Sequence, residues 1–262
     1  SICGQTGRLD QAAFYLEQAV EADPTIVEAH YNLGVVRREQ GRSEDALDAW
    51  DRAVSADPAH ASAWFNRASV LADLGRADEA RTTLAQAIEA APGHAGIHHQ
   101  LALLEYGEGE HESAAEQWRA AATADPENWE HLHNAASALL AADRLDDAYA
   151  MFAGALALEP TSAPTLSSLA VLERRRGNLE EAGRLARAAL VIEPASPDAR
   201  GNLASVLLDA GRLEECHELV EGILAEHPEH RAATAIRRML DEARAASLLE
   251  GPPEPTTGAA EA

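Results

Sequence analysis

The sequence predicts an all-α fold: a right-handed α-solenoid of stacked antiparallel helix pairs, closed by a C-terminal capping helix. Seven prolines set its period. Pro24, Pro58, Pro92, Pro126, Pro160, Pro194 and Pro228 stand 34 residues apart without an insertion. Each follows an apolar-periodic segment, where the missing proline N–H ends a helix. A turn residue recurs at the same period, at Gly7, Gly41, Gly75, Gly109, Asp143, Gly177 and Gly211, and so do three columns of small residues. A repeat of this length buries apolar surface only by stacking on its neighbours.

Taken in order, residues 1–26 form a partial first copy, residues 27–230 six complete copies, residues 231–249 a capping helix and residues 250–262 a tail. In the copy that starts at Val27, helical periodicity runs from Glu28 to Gln40, Gly41 ends that helix, and a second runs from Ser43 to Ser55. Ser43 is the expected N-cap, with acidic residues in the turn that follows. Glycine is the natural residue for the left-handed turn between the helices, and Asp143 is a tolerated substitute. The chain opens at Ser1 inside a repeat, which predicts preceding sequence and, without it, apolar surface on the first copy.

The small columns let helices approach closely. They read Gly34, Ala68, Ala102, Ala136, Ala170 and Ala204 in the first helix, and Ala46 and Ala53 with their equivalents in the second. Between the last two runs a knob column: Leu16, Trp50, Leu84, Trp118, Phe152, Ala186 and Val220. Its shrinking size predicts looser packing near Ala186. In the cap, Ile236, Met239, Leu240 and Ala243 form one apolar stripe. The tail, acidic and rich in proline, has no apolar periodicity and is expected to be disordered. Near the end of the first helices, polar pairs such as Arg37 with Gln40 and Glu105 with Glu108 alternate with apolar pairs such as Leu71 with Leu74. That pattern suggests a duplicated 68-residue unit and predicts alternating burial along Arg37, Leu71, Glu105 and Leu139.

The formal charge is −23, from 21 basic and 44 acidic residues, and every basic residue is Arg. Such a balance speaks against nucleic-acid backbones and leaves basic partners open. Cys3 and Cys216 lie too far apart in the array to bridge, so both are read as inert thiols. No apolar run approaches a membrane span. A cytoplasmic location fits these features.

The period of 34, the "NLG" and "NLA" signatures at Asn32–Gly34 and Asn202–Ala204, the alanine columns and the terminal proline resemble the tetratricopeptide repeat family. The resemblance covers residues 1–230 and implies a superhelix whose first helices line a concave surface. On that surface one column reads Asn32, Asn66, Gln100, Asn134, Ser168 and Asn202. A carboxamide both donates and accepts, so a row of them suits the backbone of an extended peptide. A similar asparagine ladder occurs in the repeats of O-linked N-acetylglucosamine transferases. Pairing within the solenoid is the other reading of the row.

The adjacent column, Tyr31, Phe65, His99 and His133, offers rings as binding anchors or as groove filler. Arg174, Arg175 and Arg176 form the one dense basic cluster, suited to a carboxylate or to plain solvation. A chaperone-tail clamp is disfavoured: lysine is absent, and Val35, Ser69, Leu103 and Ser137 stand where asparagine would be required. His98, His99, His131 and His133 are clustered but lack metal-ligand spacing, so no metal site and no cofactor are expected. His60, His94 and His230 each follow a proline by two residues and suit exposed turns. No nucleophile, phosphate loop or paired acid marks catalysis. The reading is therefore a non-enzymatic scaffold that binds a protein or peptide partner. The alternative is the recruiting region of a larger enzyme such as a glycosyltransferase. Self-association through the uncapped first copy is a third possibility.

Overall fold

The computed structural model describes the backbone of residues 2–250 and the side chains of residues 7–245. The Pro-rich tail beyond Glu250 and the Cys3 side chain lie outside the described residues. Among the described residues there are fourteen α-helices and no strand. The chain divides into two compact units, residues 1–158 and 159–262. The first unit holds α1 (Ile2–Ala22), α2 (Val27–Glu39), α3 (Ser43–Ala56), α4 (Ala61–Asp73), α5 (Ala77–Ala90), α6 (Ala95–Gly107), α7 (His111–Ala124), α8 (Trp129–Ala141) and α9 (Leu145–Leu158). The second holds α10 (Ala163–Arg175), α11 (Leu179–Ile192), α12 (Pro197–Asp209), α13 (Leu213–Glu226) and α14 (Arg231–Glu250).

The helix pairs are closed by one repeated turn. Gly41 takes φ 74°, Gly75, Gly109, Gly177 and Gly211 follow suit, and among the described residues Asp143 is the one non-glycine with positive φ, at 61°. In each turn the backbone bonds of a Schellman motif form. Gly41 N–H donates to Arg38 O at 2.9 Å and Arg42 N–H to Arg37 O at 2.9 Å, and Asp143 and Arg144 repeat this on Leu140 and Leu139. These bonds satisfy carbonyls that a helix end otherwise leaves orphaned.

Gly7 breaks the expectation. Helix α1 runs through it without interruption. Residues 2–22 make one continuous helix.

The expected N-cap at Ser43 is also displaced. The cap position is Arg42, whose backbone is non-helical, and Ser43 is the first helical residue. Instead of a hydroxyl cap, the Arg42 guanidinium holds the Asp45 carboxylate at 2.5 Å. Arg76 with Glu79, Arg144 with Asp147 and Arg212 with Glu215 repeat the pair. The acid sits where the helix dipole favours it, and the arginine fixes its rotamer. These pairs hold the Glu79 carboxyl below its usual range, with the Arg76 hydrogen bond as the first cause.

Each first helix of the early copies is tied to the proline turn before it. His30 Nε2–H donates to Pro24 O at 2.9 Å, Trp64 Nε1–H to Pro58 O at 2.8 Å, and His98 Nε2–H to Pro92 O at 3.0 Å. One column thus does one job with two chemistries, because both rings carry an N–H at the same reach.

The small columns are fully enclosed: Ala46, Ala53, Ala80, Ala87, Ala102, Ala114 and Ala121 expose nothing. Ala186 is as well covered as Trp50 or Phe152, so the smaller knob leaves no exposed surface at its own position. Burial along Arg37, Leu71, Glu105 and Leu139 does not alternate. Arg37 is 8% exposed, Leu71 1%, Glu105 6% and Leu139 8%. That removes the structural side of the 68-residue unit. The side chain at this position lies under the turn whichever residue it is, since its own carbonyl closes the motif. The polar members Arg37 and Glu173 are paired. Arg37 bonds Glu17 and Gln40, and Glu173 receives Asn178 at 2.6 Å and Arg176 at 3.2 Å. Glu105 has one buried oxygen without a partner, and burial pushes its carboxyl up.

Candidate functional site

Within each unit the first helices touch one another. α4 packs on α6 in the first unit, and α12 packs on both α10 and α14 in the second. Clefts open instead along the second helices. One of about 500 Å³ is lined by Glu116, Arg119, Leu132 and Met151, and one of about 290 Å³ by Leu179, Gly183, Arg187 and Val206. Neither contains a residue of the amide row. The sequence-derived site is a helical face, with no closed pocket of its own in these two clefts.

Along that face in the first unit, Asn32 is exposed, while Asn66, Gln100 and Asn134 are half-buried. The row is partly occupied by the protein itself. Asn66 Nδ2 donates to Tyr31 Oη at 3.3 Å, and its Oδ1 accepts from Arg38 at 3.4 Å. In the second unit Asn202 Nδ2 donates to Ser167 Oγ at 2.8 Å. Both partners stand 35 residues earlier, so the amide of one copy reaches the hydroxyl of the copy before it. Where that earlier residue has no hydroxyl the tie is missing. Gln100 faces the position of Phe65, and its Oε1 is buried without a hydrogen bond. Asn134 faces the position of His99 and makes no side-chain bond to protein among the described residues.

The rings are half-buried and each leans on a neighbour. Tyr31 lies 4.8 Å from the His60 ring, Phe65 6.4 Å from His94, and His133 5.6 Å from Phe152 and 5.9 Å from Trp129. His99 accepts the Trp118 indole N–H on Nδ1 at 3.1 Å and stands 5.5 Å from His131. Burial lowers the affinity of His99, His131 and His133 for a proton, and the nearby His131 lowers that of His99 further.

The basic cluster is divided. Arg174 bonds Asp209 at 2.9 Å, Arg176 bonds Glu173 at 3.2 Å, and Arg175 is exposed. Its charges face different ways because adjacent helical residues are about 100° apart.

The histidines of the proline turns are not exposed loop residues. His60 Nδ1 accepts the Ala63 N–H at 3.1 Å and caps α4, and His230 caps α14 in the same way at 3.1 Å. In other copies Asn128, Ser162 and Ser196 do this work. The shared position two residues after each proline was the available signal.

Two residues of the face carried no sequence expectation of binding: Leu103 and Tyr106 on α6, both exposed. Among the described residues no group of three His, Cys, Asp or Glu side chains is arranged to hold a metal. No described helix is long and apolar enough to cross a membrane. Cys216 is buried, and burial pushes its thiol up, away from the reactive thiolate.

Comparison with known proteins agrees with this architecture. Tetratricopeptide repeat models match residues 4–50, 36–95, 99–163 and 173–240. No curated protein sequence matches the chain. Among solved structures, a tetratricopeptide repeat protein from Parabacteroides merdae superposes with a TM-score of 0.69 at 18% identity, covering 84% of this chain and 87% of the other. YrrB, described as a TPR protein with an unusual peptide-binding site, gives 0.62 at 20% identity, covering 70% and 95%. PilW, a type IV pilus biogenesis factor, gives 0.65 at 18% identity, covering 80% and 98%. At such identities the likeness is one of fold. With models matched along most of its length, the chain belongs to the tetratricopeptide repeat family.

Proposed function

We propose that this protein is a non-enzymatic interaction scaffold that binds an extended peptide segment of a protein partner along the first-helix face of residues 27–142. The observation that carries the reading is the unsatisfied part of the amide row. Asn134 keeps its half-buried carboxamide unbonded to other described residues, whereas the Gln100 oxygen is closed off from the face. An amide that meets an incoming backbone gains about 0.5–1.5 kcal/mol net per hydrogen bond. A strand laid along the row presents such donors without regard to its side chains. Tyr31, Phe65, His99 and His133 border the row, and Asn32 extends it. In the second unit Asn202 is already bonded to Ser167 and Arg174 to Asp209, so the second unit contributes less.

The test is affinity capture with the chain carrying Asn66→Ala, Asn134→Ala and Phe65→Ala together. Partners bound by the native chain and lost by the triple variant support the reading. An unchanged set of partners leaves the amides as structural groups and refutes it. Circular dichroism of the triple variant controls for folding.

A further inference from the structure

Helix α6 differs from the other first helices of its unit in what it shows to solvent. His99, Leu103 and Tyr106 follow one another at steps of four and three, so they share a face. Leu103 is 52% exposed and Tyr106 38%. The equivalent positions are Ser69 and Ala72 on α4, and Ser137 and Leu140 on α8, where Ser137 folds its hydroxyl back onto His133 O at 2.9 Å and Leu140 is half-buried. Leu103 therefore stands up between two serines, in the fourth copy of the unit. Tyr106 is held there from below by Trp118, at 5.7 Å, and His111, at 5.0 Å. On the next first helix, Glu130 lies exposed in the first turn of α8, and its carboxylate forms no ion pair among the described residues. The surrounding protein carries a net charge of −23.

We infer that Leu103 and Tyr106 are the anchor point of the groove, and that the partner segment carries a bulky apolar side chain flanked by lysine or arginine. The inference rests on the groove reading and adds the chemistry of the occupant. The apolar side chain covers Leu103 and the Tyr106 ring, which removes exposed apolar surface from water on both sides. The flanking cation pairs with Glu130 and is drawn in by the acidic surface. An acidic segment meets repulsion from both.

The experiment measures fluorescence anisotropy of labelled ten-residue peptides of Ala, Ser and Gly with a central Trp between two Lys residues. A second peptide replaces Trp by Ala and a third replaces Lys by Glu. The native chain binds the first and loses roughly tenfold or more of that affinity with either replacement. Leu103→Ser, which installs the residue found at the same position of the flanking copies, costs a similar factor without loss of helicity. Glu130→Gln weakens binding and flattens its dependence on salt. Absence of binding by the Trp–Lys peptide overturns the inference, as does equal affinity for the Glu peptide or an unaffected Leu103→Ser chain. If Leu103→Ser leaves affinity unchanged while the triple amide and ring variant abolishes partner capture, the groove stands and only the anchor falls.

Discussion

The second and fourth copies carry a tryptophan at the same place, and the two indoles settle differently. Trp50 lies directly over Gly34: a Cβ added there would sit 2.4 Å from Nε1 and 2.7 Å from Cδ1. Its N–H donates to the backbone carbonyl of Tyr31 at 3.2 Å. In the fourth copy Ala102 occupies the glycine's position, and the Trp118 N–H goes instead to the side chain of His99 at 3.1 Å. The two indoles differ in what lies beneath them, Gly34 or Ala102, and in the acceptor at hand, since His99 offers a ring nitrogen where Tyr31 has none. The two copies differ on the face of the solenoid as well. Tyr31, with its hydroxyl uncommitted to the tryptophan, reaches forward and receives Asn66. His99 is committed to Trp118, and Asn134 in the next copy is left with its amide unused. The rungs follow the residue 35 positions earlier: a hydroxyl at Tyr31 or Ser167 closes the row, and Phe65 or His99 leaves it open.

That contrast can be broken. Replacing Trp50 or Trp118 by Ala should cost about 3–5 kcal/mol each, the usual range for a buried Trp, read from denaturant unfolding. Gly34→Ala should cost about 1–3 kcal/mol, because the indole must leave its seat. Ala102→Gly should cost no more than about 1 kcal/mol, the helix-propensity difference alone. Adding Trp50→Leu to Gly34→Ala recreates the Ala68 and Leu84 pair of the third copy and should recover most of the loss. Failure of that rescue would show that Gly34 matters for some reason other than the indole.

Proton affinity separates the copies further. His99, His131 and His133 are held below the ordinary histidine value of 6.5, chiefly by burial. Their folded pKa lies under the unfolded one, so the stability they contribute is complete above pH 6.5 and drains away as pH falls through the folded values. Protonation of His99 at Nδ1 also ejects the Trp118 N–H. Thermal unfolding followed against pH should therefore weaken on acidification, and His99→Gln should flatten part of that slope. A slope unchanged by His99→Gln would remove this ring from the account.

The smallest effect belongs to the amide tie. A double-mutant cycle of Tyr31→Phe with Asn66→Ala should return a coupling of about 0.5–1.5 kcal/mol, the net worth of one hydrogen bond. The corresponding pair His99→Phe and Asn134→Ala should show none. A coupling of equal size in both would erase the difference between open and closed rungs.

Much of this fold was legible in the chain. The prolines mark where each second helix stops, because a ring without N–H cannot continue it. The turn glycines and Asp143 mark where each pair reverses, because the Schellman turn demands positive φ. Both are local constraints, and a local constraint leaves its mark at a fixed period. Gly7 is the exception, standing at the period yet lying inside α1. The site was legible as columns and no further. Periodicity put Asn66 and Asn134 in one row, but the partners that distinguish them lie 35 residues away in the neighbouring copy. Arg174 likewise read as a charge on offer until Asp209 was found beside it.

The amino-acid sequence by itself therefore determined the period, the helix pairs, their turns and the face on which partners are to be sought, all of which follow from backbone stereochemistry and small-residue spacing. Only the tertiary structure decided which side chains on that face are spent on the protein and which remain for another molecule. A hydrogen bond between copies depends on ångström distances set by packing, which a period along the chain does not carry.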